Sequence, residues 1–147
     1  MRDDTAFMDR IHCFLPGWDV PKLNPGLCTA HFGLVREFVS DCWTQLRSQS
    51  RVSALQNRVY WGGALSGRDL NAVNKTVSGL LKLLHPNAET PVSDEDLEWA
   101  ARLALEVRRR VKEQQKRIGA AEFRNTHFSY TMGAEGVEKF VSTPELQ

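Results

Sequence analysis

The chain has 147 residues, with 19 Lys and Arg against 18 Asp and Glu, so its formal net charge is +1. That balance excludes both a strongly basic whole-surface nucleic-acid binder and an acidic solvating tail. With 41% apolar and 25% charged residues the composition is globular rather than disordered, and no apolar run approaches the ~18 residues that a membrane span needs.

In chain order, Met1-Arg2-Asp3-Asp4-Thr5 carries acids and no long apolar core, unlike a secretory leader. Ile11 to Leu15 is apolar but too short to assign by period. Pro16, Gly17, Pro21, Pro25 and Gly26 then predict an irregular connection. A first helix is expected over 29–48, capped by Thr29. Its apolar stripe is Leu34, Val35, Phe38, Val39, Cys42, Trp43 and Leu46. Val59-Tyr60-Trp61 forms a short apolar patch ahead of Gly62-Gly63. A second helix is expected over 67–85. Ser66-Gly67-Arg68-Asp69 has the form of a capping box, and Leu70, Val73, Val77, Leu80, Leu81 and Leu84 supply the stripe. Pro86 disfavours helix at His85 and stops it.

A third helix is expected over 94–118. Ser93 caps it, Asp94, Glu95 and Asp96 face the positive end of its dipole, and Gly119 ends it. Its apolar face is Leu97, Ala100, Ala101, Ala104, Val107, Val111 and Ile118. The fold class is therefore mainly α, with three main helices packed through Phe38, Trp43, Leu70, Val77, Leu80, Leu84, Leu97, Ala101 and Ala104. Beyond Gly119, Phe128, Tyr130 and Met132 alternate with Ser129 and Thr131 at strand period. With Val137 to Val141 they read as a hairpin, or as two strands of a further, incomplete domain. Exposed apolar surface is then expected around Phe14, Trp18, Phe128 and Phe140.

Chemical motifs are few. There is no G-x-x-x-x-G-K-[ST] phosphate loop, no G-x-S-x-G, no H-E-x-x-H and no C-x-x-C. His12, Cys13, Cys28 and His31 match no strong zinc pattern, so no metal site is expected. The odd count of 3 cysteines, with Cys42 on a helical stripe, argues for a reducing, cytoplasmic setting. The basic run Arg108, Arg109, Arg110 and Lys112 reads first as a solvated face near a helix C-terminus, and second as a weak phosphate-contacting patch for DNA. Arg10, after Phe7-Met8-Asp9, and Arg68, on a capped first turn, each read alone as surface salt bridges.

Their order carries more. Met8-Asp9-Arg10-Ile11-His12 resembles the S-R-F-D segment of the MCM helicases, whose arginine is a finger. Ser66-Gly67-Arg68-Asp69-Leu70-Asn71-Ala72-Val73 resembles the start of the lid helix that carries the sensor 2 arginine of those ATPases, and Val92 to Ala100 resembles the start of the next lid helix. Leu15-Pro16-Gly17-Trp18, Thr76 to Leu84, Arg108 to Gln114 and His127-Phe128-Ser129-Tyr130 extend the likeness over essentially the whole chain. They resemble the Lon-like AAA+ proteins of BREX phage-defence systems, the BrxL family.

This resemblance implies an internal fragment of a larger ATP-dependent protein, or a truncated reading frame of one beginning at Met1. Residues 1–28 would be the end of an AAA+ core, 29–119 a helical lid subdomain, and 120–147 a linker and the start of a Lon-type domain. It implies ATP and Mg in the full-length parent, none bound by the fragment alone, and a homo-oligomeric ring away from the membrane. Arg10 becomes the arginine-finger candidate and Arg68 the lid sensor. Walker motifs are absent, and the Ser/Lys protease pair would lie beyond Gln147. The alternative is a stand-alone helical interaction or DNA-contacting module without catalysis.

Overall fold

Two long helices form the centre of the molecule. The computed structural model describes residues 5–28, 30–118 and 127–142. The helices are α1 (Thr5–Asp9), α2 (Arg36–Leu46), α3 (Gly67–Leu84) and α4 (Asp94–Ile118). The strands are β1 (Val59–Trp61), β2 (Ser129–Met132) and β3 (Lys139–Phe140). The fold is mainly α, as the patterning predicts. The expected cap Thr29 and stop Gly119 lie outside the described residues, as do residues 120–126.

Helix α3 begins where the sequence says it should. The Asp69 N–H donates to Ser66 Oγ at 3.3 Å and the Ser66 N–H donates to Asp69 Oδ2 at 3.0 Å, closing the capping box. At the other end a guanidinium N–H of Arg51 donates to the carbonyls of His85 (3.2 Å) and Pro86 (3.1 Å), satisfying groups that a terminating helix leaves open. Helix α4 is capped by Ser93, whose Oγ accepts from the Asp96 N–H at 3.0 Å. Val73, Val77 and Leu81 of α3 pack with Leu97, Ala100, Ala101, Ala104 and Leu105 of α4, all fully buried. The alanine row lets the helix axes approach closely, and each larger aliphatic side chain contributes about 1.5–3 kcal/mol by leaving water. Leu70 and Leu80 are only half-buried against this core, and Leu84, expected within it, is exposed at the end of α3.

A three-stranded antiparallel sheet, ordered β1-β2-β3, closes over the helix pair. Tyr60 pairs with Thr131, and Tyr130 pairs with Lys139 on the other side. Val59, Phe128, Tyr130 and Val141 join the same core cluster as α3 and α4. Phe128 is thus fully buried rather than exposed. An isolated hairpin is marginal in water, whereas a third strand and a helical face stabilise it. That third strand is the Val59–Trp61 patch. Phe14 is half-buried, its N–H donating to the Val107 carbonyl at 3.0 Å, while Trp18 and Phe140 are exposed as expected.

The first long helix differs most from expectation. It starts at Arg36, with extended Val35 at its N-cap. Its apolar stripe does not enter the core: Phe38 is 58% and Trp43 56% exposed. The core positions are already taken by the sheet residues and by Leu55. Val39, Cys42 and Leu46 are half-buried, and at the helix end Lys82 Nζ donates to the carbonyls of Leu46 (2.8 Å) and Gln49 (3.2 Å).

Candidate functional site

At the end of α1 one carboxylate gathers cations from both long helices. Asp9 Oδ1 accepts from Arg108 Nη2 at 2.7 Å and from Lys112 Nζ at 2.8 Å, while Oδ2 accepts from Arg68 Nη1 at 2.8 Å. Asp69 faces the same cations. Its Oδ1 accepts from Arg108 Nε at 2.7 Å and lies 3.2 Å from Lys112 Nζ, while its Oδ2 closes the α3 capping box. Arg108 Nη1 donates to the Ile11 carbonyl.

These bonds correct one reading of the basic run. Arg108 and Lys112 do not form a solvated face: their side chains are 0% and 4% exposed. They lie on the inward stripe of α4, one turn apart, and the carboxylates of α1 and α3 compensate their burial. Arg109 pairs with Glu113 at 3.5 Å. Arg110 pairs with Asp19 at 2.6 Å and Glu106 at 3.0 Å, and the bond to Asp19 raises its pKa despite partial burial.

The electrostatics follow from the geometry. Burial by itself would push the Asp9 carboxyl up. The bonds from Lys112 and Arg68, with the charges of Lys112 and Arg108, outweigh it and hold Asp9 well below the usual carboxylate range. His12 is depressed by burial first, then by the Lys75 and Arg108 charges.

Arg10 follows Asp9 directly. It is exposed, and among the described residues its guanidinium makes no hydrogen bond or ion pair. Its backbone is held: the Arg10 N–H donates to Phe7 O at 3.1 Å and the Ile11 N–H to Met8 O at 3.0 Å. The next few residues are tied to α4 through the Ile11 carbonyl and the Phe14 N–H. The structure therefore brings Arg68, Arg108 and Lys112 together on Asp9 with Arg10 beside them, and leaves Arg109 and Arg110 on other acids.

Asp9 and Asp69 are the acids of this cluster that the sequence pattern does not bring together as a pair. A signal was present: Arg108 and Lys112 continue the Ala104 stripe at four-residue steps, so cations at core positions required acids opposite. Cys13 and Cys28 are exposed and Cys42 half-buried. Among the described residues no three His, Cys, Asp or Glu side chains converge as metal ligands.

The chain matches the family described as Lon-like protease BrxL-like, ATPase domain, over residues 1–129. It is 44% identical over 145 residues to the Lon-like protease BrxL of Bacillus cereus (strain H3081.97), covering 99% of this chain and 21% of that relative. It is 43% identical over 142 residues to the Lon-like protease BrxL of Escherichia coli O9:H4 (strain HS), covering 97% of this chain and 20% of that relative. The chain spans about one fifth of the length of these curated relatives. The family match takes in Asp9, Arg10, Arg68, Asp69, Arg108 and Lys112, and the chain belongs to the BrxL-like Lon-like protease family, within its ATPase domain.

Proposed function

We propose that this chain supplies the arginine finger and the lid of an ATP-driven, Lon-like AAA+ ring protein of phage defence. The observation that carries this reading is the state of Arg10. It is an exposed guanidinium without a partner among the described residues, on a backbone pinned to α4. A finger needs a permanent charge, presented in advance and not neutralised by its own subunit. Arg68 is the lid sensor. It stands on the first turn of α3, 64% exposed, with Asp9 as its ion-pair partner.

The residues present fit phosphate oxygens but not a complete nucleotide pocket. No phosphate loop occurs in the sequence, and the described residues gather no three-ligand metal group. Arg10 and Arg68 therefore suit a nucleotide cradled by other parts of the assembly. ATP, with Mg, supplies a phosphoryl group on which negative charge develops during transfer. Arg10 donates to that charge across a subunit boundary. Arg68 contacts phosphate before and during hydrolysis, and movement of α3 reports the change. In this reading residues 1–28 end the AAA+ core, 29–119 are the lid, and 120–147 lead to a Lon-type domain in a cytoplasmic homo-oligomer.

The test uses a full-length family protein carrying this segment. Arg10→Ala should lower ATP turnover by about 10³-fold or more while leaving nucleotide binding nearly intact. Arg68→Ala should weaken both. An ordinary surface salt bridge would change either by less than ~1 kcal/mol. Mixing Arg10→Ala subunits with phosphate-loop-defective subunits should restore some activity, because one supplies the loop and its neighbour the arginine. No recovery at any ratio, in rings shown to exchange subunits, removes the trans role.

A further inference from the structure

The two oxygens of Asp9 hold different kinds of partner. Oδ1 binds Arg108 and Lys112, whose side chains are 0% and 4% exposed. Breaking those bonds would strand charges inside the protein, so they are fixed. Oδ2 binds Arg68, which is 64% exposed. That bond competes with water and is easily exchanged for another anion. Asp9 is also the covalent neighbour of Arg10, and its Oδ1 bonds help to fix the backbone from which Arg10 projects.

We infer that Asp9 is a positioning residue that holds Arg68 in reserve and yields it to phosphate. Without nucleotide, Oδ2 occupies the Arg68 guanidinium and draws the start of α3 onto the end of α1. When a polyphosphate arrives, Arg68 leaves Oδ2 for the phosphate oxygens. Asp9 stays anchored through Oδ1, so Arg10 keeps its place while the lid arginine moves. One carboxylate thereby links the position of the lid to the segment bearing the finger. This inference rests on the reading of Arg68 as a phosphate-contacting residue.

Two measurements in a full-length family protein carrying this segment test it, with the Mg complex of AMP-PNP as probe. The first is affinity. Asp9→Asn removes the charge that competes for Arg68, so AMP-PNP should bind about two- to fivefold more tightly. The gain should vanish in an Arg68→Ala background. A purely structural Asp9 predicts weaker binding, because the buried cations lose their acid, and that result or an unchanged affinity overturns the inference. The second measurement does not depend on the Asp9 variant folding. In Arg68→Lys, carbodiimide should join Asp9 to the amine introduced at position 68, detected by mass spectrometry. AMP-PNP should suppress this product severalfold, while the product joining Lys139 to Glu98, an amine–carboxylate pair that does not involve Asp9, serves as a nucleotide-independent reference. Equal yields with and without AMP-PNP overturn the inference. If Arg68→Ala leaves AMP-PNP affinity unchanged, the underlying reading of Arg68 falls and the inference with it. If Arg68→Ala weakens binding but the cross-link is not suppressed, only the inference falls.

Discussion

Arg108 shows why this cluster is built around an arginine. Burying a lone guanidinium costs several kcal/mol. Here three of its nitrogens donate in three directions, to Asp69, Asp9 and the Ile11 carbonyl. A planar fork meets all three at once, whereas an ammonium has no matching geometry. The arrangement makes stability depend on Asp9 staying ionised. Its folded pKa lies below the unfolded value of about 3.9, so the unfolded chain takes up the proton first. The contribution is therefore fully present above that unfolded value and is lost as pH falls through the folded one. Glu98 has the same sign: the Lys139 bond first, then the Tyr130 hydroxyl, lower its pKa. Tyr130 itself is pushed up to about 12, by burial and then by its bond to Glu98. The urea midpoint of the chain should fall steeply from about pH 4 downward, after a shallower decline that begins below about pH 6.5, where the unfolded chain protonates His12 before the folded one does. In Asp9→Asn the fall should be shallower. Identical slopes in the two proteins would show that Asp9 is not linked to acid unfolding.

At the scale of elements, the two helices that build the core were the legible ones. Helices α3 and α4 carry a long 3.6-residue period, a side-chain cap at the start and, for α3, a proline stop, and all three signals agree. The stripe of α2 has the same period but lacks a partner, because burial depends on what the rest of the chain offers. Strand β1 has only 3 residues, too few to show alternation, and its pairing with β2 joins positions about 70 residues apart. One trace of that pairing was in the sequence, at Gly62. A Cβ there would lie 2.0 Å from Ser129 Oγ and 3.2 Å from the Ser129 carbonyl oxygen. That hydroxyl is committed to Glu138 at 2.6 Å and has little freedom to turn away. Gly63, next in the chain, has open space where its Cβ would stand. Gly62→Ala should therefore destabilise the chain by about 1–3 kcal/mol through overpacking, and Gly63→Ala should change little. Equal urea midpoints for the two variants would contradict the close β1–β2 approach.

Across the whole molecule the apolar residues fall into two groups that composition cannot separate. One group fills the space between α3, α4 and the sheet, as Val77, Leu81, Leu97 and Phe128 do. The other lies along residues 15–43, where Leu23, Phe32, Leu34, Phe38 and Trp43 are exposed. Helical period alone groups Trp43 with Leu81, since each lies on an apolar stripe, and so predicts both helices in one bundle. Stability should separate them. Leu81→Ala leaves a cavity in a closed core and should cost about 2–5 kcal/mol. Trp43→Ser removes a side chain that is 56% exposed, so it should cost at most about 0.5 kcal/mol. The same Trp43→Ser change, combined with Phe38→Ser, should reduce binding of a hydrophobic dye, because it removes open apolar surface, whereas Leu81→Ala should not. Urea denaturation and dye fluorescence on the three proteins together decide the matter. If Trp43→Ser destabilised as much as Leu81→Ala, α2 would be a member of the core and its exposed face would be wrong.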